Sequence, residues 1–287
     1  MTMRMSARAK FFLYLFLIFM VILTVIPLLY TVSASFKTNM EIATGGINLI
    51  PKTFTFDNYK TVWSMSGTGI ASKVTYTDYT INSIKVSLMT VVLVVLFTSM
   101  SAYCFQRGNF PGQKFLYWLF MATMFIGAGT VTMFPLLRIT TKLGLNNLPG
   151  LALVQFGTAG ASNLFLTMGY LKTISKELDD AAKIDGAGVF RRFFRITVPL
   201  STPMIFYNLV TGVIGAMQTN HTMVFAGYDG AGPRNSIYFI AVKIYNEGFG
   251  GQDFGYASAL AWVLFVIIAM LTGITFATNK WVYTGDE

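Results

Sequence analysis

Apolar residues in this chain come in long runs rather than in the stripes and alternations of a water-soluble fold. Runs of about 20 residues, the length that crosses a hydrocarbon core as a helix, fall at residues 11–34, 83–105, 115–137, 150–171, 200–222 and 256–278. Each is expected to be helical, because in lipid only a helix satisfies all its backbone groups within one segment. Between the fourth and fifth runs the pattern changes. Residues 172–199 are charged and amphipathic, and read as two short helices joined by a turn at Gly186. Ser175 is placed to cap the first, with Glu177, Asp179 and Asp180 in its opening turns, where the positive end of the helix dipole favours carboxylates. Leu178, Ala181 and Ala182 share one face, and Asp179, Asp180 and Lys183 lie elsewhere. In the second helix Phe190, Phe193, Phe194 and Thr197 share a face, while Arg191, Arg192 and Arg195 turn away. Pro199 and Pro203 close the unit.

Composition fixes the class. Hydrophobic residues make up 54% and charged residues 11%, against about 25% charged in soluble domains, so the expectation is one all-α transmembrane domain over residues 1–287. The first run, preceded by Arg4, Arg8 and Lys10 and followed by Ser33-Ala34-Ser35, imitates a signal peptide. Its apolar core is too long for one, and it reads as a retained anchor. Six spans place both termini on one side. If that side is cytoplasmic, Arg4, Arg8, Lys10, Arg107, Lys114, Lys172, Lys176, Lys183, Arg191, Arg192, Arg195 and Lys280 lie there, twelve of the 21 basic residues. That follows the positive-inside rule, so the net charge of +9 needs no nucleic acid. The longest outside segment, 36–80, has turn signals at Pro51 and at Asp57-Asn58-Tyr59, and its lysines read as solvated. Residues 223–255 are glycine-rich and read as irregular.

Candidate chemistry is sparse. His221 is the single histidine and Cys104 the single cysteine, which excludes a metal cluster or an internal disulfide; Cys104 reads as a packing residue. The stretch from Gly108 to Lys114 lacks both the glycine spacing and the Ser or Thr of a nucleotide-binding loop. In the fifth run Asn208, Thr211, Gly215, Gln218 and Thr222 recur at intervals of three and four on one helical face. Such a stripe suits a neutral polyhydroxylated solute, or else hydrogen bonding to neighbouring helices. Gln155 and Asn163 on the fourth run are further pathway candidates.

The charged loop also carries a spacing. Asp180-Ala181-Ala182, then Gly186, Ile196 and Val198-Pro199 resembles the signature of binding-protein-dependent ABC importer permeases, Glu-Ala-Ala, Gly, Ile and Leu-Pro at the same intervals. Asp180 replaces Glu, and Val198 replaces Leu. Glu177-Leu178 and Asp185-Gly186-Ala187 resemble the carbohydrate-importer branch. Arg107 to Lys114 and Lys142 to Leu145 resemble the second permease subunit of maltose-type importers, whereas Gly230 to Ser236 and Gly255 to Leu260 resemble the first.

The resemblance implies a type I ABC importer permease with six transmembrane helices and a cytoplasmic coupling helix. Glu177, Asp180, Ala181, Ala182, Asp185, Gly186, Ile196 and Pro199 would then be the ATPase-coupling positions. It further implies a second homologous permease, two ATPase subunits carrying ATP and Mg, an external solute-binding protein and a saccharide cargo. The setting would be a bacterial or archaeal inner membrane, with no cofactor and no catalytic residue on this chain. Importers of glycerol phosphates, amino acids or peptides, and a non-transporting membrane scaffold, are the alternatives.

Overall fold

The computed structural model describes residues 6–46, 48–64, 75–125, 133–218 and 238–283, and among these every regular element is helical. The elements are α1 (Ala7–Ser35), α2 (Asn39–Gly45), α3 (Asp57–Ser64), α4 (Tyr76–Arg107), α5 (Gln113–Phe125), α6 (Met133–Lys142) and α7 (Leu148–Leu171). After them come α8 (Lys176–Ile184), α9 (Val189–Arg192), a π-helical turn (Phe193–Thr197), α10 (Val198–Leu200) and α11 (Thr202–Met217). The described chain closes with α12 (Ile240–Tyr245), a second π-helical turn (Asn246–Gly250), α13 (Phe254–Ala277) and a 3-10 turn (Asn279–Trp281).

Among the described residues four helices are long and apolar enough to cross a membrane, Arg8–Ser35, Tyr76–Arg107, Leu148–Leu171 and Phe254–Ala277. A fifth is made if Val189–Leu200 and Thr202–Met217, bent by 71°, count as one span. The third expected run is seen as α5 and α6, with 126–132 outside the described residues. His221, Thr222 and the glycine-rich stretch 223–237 also lie outside them.

The chain divides into two units, residues 1–65 with 243–264, and residues 66–242 with 265–287. In the first, α1 is capped by Ser6, which accepts from the Ala9 N–H, and its flank from Phe11 to Leu29 is exposed, as a helix solvated by lipid or by another helix must be. Its last carbonyls are closed by a side chain. The Asn58 amide donates to the carbonyls of Ser35 at 2.9 Å and Lys37 at 2.8 Å, and the Tyr59 hydroxyl reaches the Ser35 hydroxyl at 2.9 Å. Gly255 sits against this junction, where a Cβ would fall 3.0 Å from both the Asn58 amide nitrogen and the Lys37 carbonyl oxygen.

Three expectations change here. Asp57-Asn58-Tyr59 is the first turn of α3 rather than a loop turn. Lys37 is buried rather than solvated, with 2% exposure. Its ammonium donates to the Asn48 carbonyl and lies 5.4 Å from the Tyr30 ring centre, two contacts that compensate for lost water. Residues 240–250, expected to be irregular, are helical and π-helical, held by a Lys243–Glu247 ion pair of 2.7 Å. Glu41 accepts from the N–H groups of Lys52 at 2.7 Å and Thr53 at 3.3 Å and from the Thr53 hydroxyl at 3.0 Å.

The second unit is built on α4, which packs along α7 and α11. A capping box starts α4: the Asp78 carboxylate accepts from the Thr75 N–H at 3.0 Å and its hydroxyl at 2.7 Å, as reciprocal caps do. Asn147 caps α7 through the Gly150 N–H at 2.9 Å. Ser83, Thr98 and Ser99 return their hydroxyl protons to carbonyls one turn back, so α4 carries these three hydroxyls through an apolar setting with their donors satisfied. Ala102, Leu164, Met168 and Leu171 form the buried contact between α4 and α7. At the α4–α11 contact a Cβ on Gly212 would lie 3.0 Å from a Val91 methyl. Cys104, expected to pack, is exposed.

Two outcomes are expected. Gly212→Leu should force α11 off Val91 and destabilise the solubilised protein by about 1 to 3 kcal/mol, the usual range for overpacking, whereas Gly157→Ala, with open space around its Cβ, should not; thermal unfolding checks both. The hydrogen bond from Lys52, above all, holds the Glu41 carboxyl below its ordinary pKa. A depressed folded pKa stabilises above the unfolded value and is lost as pH falls through the folded one. Proteolysis near Lys52 should therefore rise on acidification below the usual carboxylate range, and Glu41→Gln should remove that pH dependence.

Candidate functional site

Two features of the second unit carry chemistry. The first is the charged loop. Ser175 accepts from the Glu177 N–H at 3.1 Å and starts α8. Gly186, with φ of +79°, ends it: the N–H of Gly186 bonds the Lys183 carbonyl at 3.1 Å and that of Ala187 bonds the Ala182 carbonyl at 2.9 Å. These are the paired bonds of a Schellman turn, which needs a left-handed residue at this position. The chain then reverses into α9 and the π-helical turn. Pro199 offers no N–H to continue a helical ladder, and the direction changes by 71° around Ser201.

The buried residue of α8 is Asp179, not the apolar face the periodicity favours. Asp179 is 7% exposed; Leu178 is 49% exposed and Ile184 88%. Its carboxylate pairs with Arg192 at 2.9 Å and accepts from the Tyr103 hydroxyl of α4 at 3.3 Å. Arg192 therefore turns inward, while Phe190 and Phe194 are exposed and Phe193 is buried against the Tyr103 ring, centres 5.3 Å apart. The expected grouping of the three phenylalanines on one face, with the arginines opposite, does not hold. An ion pair fixed across the turn decides which side faces in. Arg107 donates to the Ile174 carbonyl at 2.7 Å, and the Tyr170 hydroxyl donates to the Leu200 carbonyl at 3.2 Å, so both ends of the loop are tied to spanning helices.

Of the expected coupling positions, Glu177, Asp180, Ala181, Asp185, Gly186 and Pro199 are exposed, and Ala182 and Ile196 are half-buried. Asp180 and Asp185 thus present free carboxylates beside an uncovered apolar surface of Leu178, Ile184, Val189, Phe190 and Phe194.

The second feature is an open cavity of about 420 Å³ between α4, α7 and α11. It brings together Gln155 and Asn163 of α7 with Thr211 and Gly215 of α11. Thr90 and Thr158 line it as well; the sequence reading missed both, although a threonine inside an apolar run was the available signal. The Gln155 carbonyl oxygen accepts from the Thr90 hydroxyl at 2.8 Å, which fixes the orientation of the amide. No lining side chain is charged. Asn208 and Gln218, from the same predicted stripe, are not part of the lining. Asn208 is 1% exposed and donates to the Thr167 hydroxyl at 3.2 Å, joining α11 to α7; Gln218 is the exposed C-cap of α11.

The chain belongs to the family described as the inner membrane component of binding-protein-dependent transport systems, which it matches over residues 3–283. Among curated relatives, the galactooligosaccharides transport system permease protein GanQ of Bacillus subtilis is 34% identical over 218 residues, 74% of each chain. The trehalose transport system permease protein SugB of Mycobacterium tuberculosis is 34% identical over 191 residues, 66% of this chain and 64% of the other. In fold it is similar to a chain of a bacterial ABC transporter involved in the import of the acidic polysaccharide alginate, with a TM-score of 0.72 and 20% identity, covering 97% of this chain and 100% of that one.

In a Cys104→Ser background, cysteine at Thr211 or Asn163 should react with a polar thiol reagent in membranes at least about tenfold faster than cysteine at Asn208, since only the open cavity admits water. Equal rates at all three would mean that the cavity is closed in the membrane.

Proposed function

We propose that this permease forms part of the translocation pathway of an ATP-driven importer for a neutral saccharide. The observation that carries the cargo class is the cavity: amide and hydroxyl groups from three helices face one open space at membrane depth, with no charge among them. A polyhydroxylated solute leaving water needs replacement hydrogen bonds there, and these groups supply donors and acceptors without the counter-charge an amino acid or a glycerol phosphate would require. The names of the relatives, which include galactooligosaccharide and trehalose permeases, support the same class.

Hydrolysis of ATP falls to separate ATPase subunits, two of them, acting with a second, homologous permease. An external solute-binding protein delivers the sugar. A related alginate transporter has been crystallised with its pentasaccharide-bound periplasmic protein, which supports that partner. The exposed side of the charged loop is the ATPase docking surface, its apolar patch covered by the partner and Asp180 and Asp185 at its edge. Both termini are cytoplasmic, as the distribution of Lys and Arg favours.

Substitution in the loop tests the docking assignment. Gly186→Asp, which places a side chain at positive φ and a charge in the turn, should leave the permease inserted while lowering ATPase hydrolysis stimulated by the binding protein at least about tenfold; a fully stimulated variant would refute it. Asp180→Ala should weaken ATPase retention on the permease by about 1.5 to 3 kcal/mol, the range of a hydrogen bond to a charged group, with Asp180→Glu tolerated. Pull-down of the ATPase subunits reads the difference.

A further inference from the structure

We propose that Asp179, Arg192 and Tyr103 form a positioning clamp that carries movement of the charged loop into α4, and through α4 to the polar cavity. The proposal rests on the reading of that loop as the ATPase docking segment. Three observations lead to it. Asp179 is buried between two exposed neighbours, Leu178 and Asp180, so α8 is oriented by its acid and not by its apolar residues. The 2.9 Å pair with Arg192 spans the Gly186 turn and fastens α8 to α9 across a left-handed glycine with open space around it. A buried ion pair is seldom the most stabilising filling for such a place, and an apolar pair of similar volume often does as well. What an ion pair adds is one fixed geometry.

The third observation is where the clamp is anchored. Tyr103 contributes its hydroxyl to Asp179 at 3.3 Å and its ring to Phe193, whose centre lies 5.3 Å away. Arg107, one turn further along α4, holds the Ile174 carbonyl at 2.7 Å. The same helix presents Thr90 to the cavity, 13 residues before Tyr103, or about 20 Å at 1.5 Å per residue. Within the helix no proline and no π-helical turn interrupts the stretch between them. A rotation of the α8–α9 unit on its ATPase is therefore delivered to a stiff rod whose other half forms a wall of the cavity and fixes Gln155 through Thr90.

The test uses the whole transporter, with partner permease, ATPase subunits and binding protein, and needs no knowledge of the cargo. A cysteine at Thr211 in a Cys104→Ser background reports cavity access to a polar thiol reagent, with and without a non-hydrolysable ATP analogue and Mg. The analogue should change the labelling rate in the parent. Asp179→Asn and Tyr103→Phe should each reduce that change by about tenfold, the factor expected for one charge-assisted contact, while the ATPase stays bound. Asp179→Glu should keep most of it. A parent response that survives Asp179→Asn but is abolished by Gly186→Asp would overturn the clamp and leave the docking assignment standing. A response and ATPase retention both indifferent to Gly186→Asp would overturn the docking assignment itself. An unresponsive parent would also overturn the clamp. So would failure of Asp179→Asn to assemble while Tyr103→Phe responds normally, since the trio would then serve stability alone.

Discussion

The constraint on which this structure depends is that hydrocarbon offers no hydrogen bonds. Every backbone group at membrane depth must find its partner within the chain, which makes helices of the apolar runs and leaves few places where the ladder can be broken. The hydroxyls of Ser83, Thr98 and Ser99 on α4 obey the same rule by bonding carbonyls one turn back. Where the ladder does stop, a particular group closes it: Asn58 at the end of α1, Asn147 at the start of α7, and Tyr170 at Leu200 near the 71° bend. The Gly186 turn and the bend at Ser201 bound the second half of the charged loop. Their position follows from residue type, since a positive φ wants glycine and a missing N–H wants proline.

Much of the fold was legible because hydrophobicity and length are local properties. The runs at 83–105 and 150–171 lie within α4 and α7, and the run at 256–278 overlaps all of α13 but its first two residues; α4 also extends over the polar residues before Ser83. The Gly186 turn was legible for the same reason. Burial of charge was not. Lys37 and Lys243 look like solvated loop cations until Asn48, Tyr30 and Glu247 are placed around them, and no periodicity reports a partner that folding brings in. Asp179 shows the limit most clearly. Amphipathic counting put Leu178, Ala181 and Ala182 on one face and Asp179 elsewhere because it weighs each residue alone, and it cannot report that folding brings Arg192 and Tyr103 to the Asp179 carboxylate.

The pathway stripe divides along the same line. Asn208, Thr211 and Gly215 share a helical face, and periodicity cannot say whether the space beside that face is filled. One turn of α11 decides it: Asn208 meets Thr167 of a helix in contact, and Thr211 meets the gap. Both readings of the stripe, glue and lining, hold at different heights on one helix. The small residues there make this possible, with Gly212 against Val91 drawing α11 close to α4 while Gly215 and Ala216 leave room.

Close packing on one side and open space on the other give α4 a particular mechanical character. It touches α7 through the Ala102 and Met168 cluster and α11 through Val91, so it cannot slide independently of either without losing dense contacts. Rotation or tilting of the three together is the less costly response to a force applied at either end of α4. A cavity bounded by all three helices then changes shape only where their relative angles change. The Thr90–Gln155 bond spans that boundary, between the two helices that share the longest contact. That bond holds the amide of Gln155 in one orientation for as long as α4 and α7 keep this contact. An uncharged lining lets Gln155 and Asn163 border the open space without the counter-charge that a buried ionic group in the same place would need.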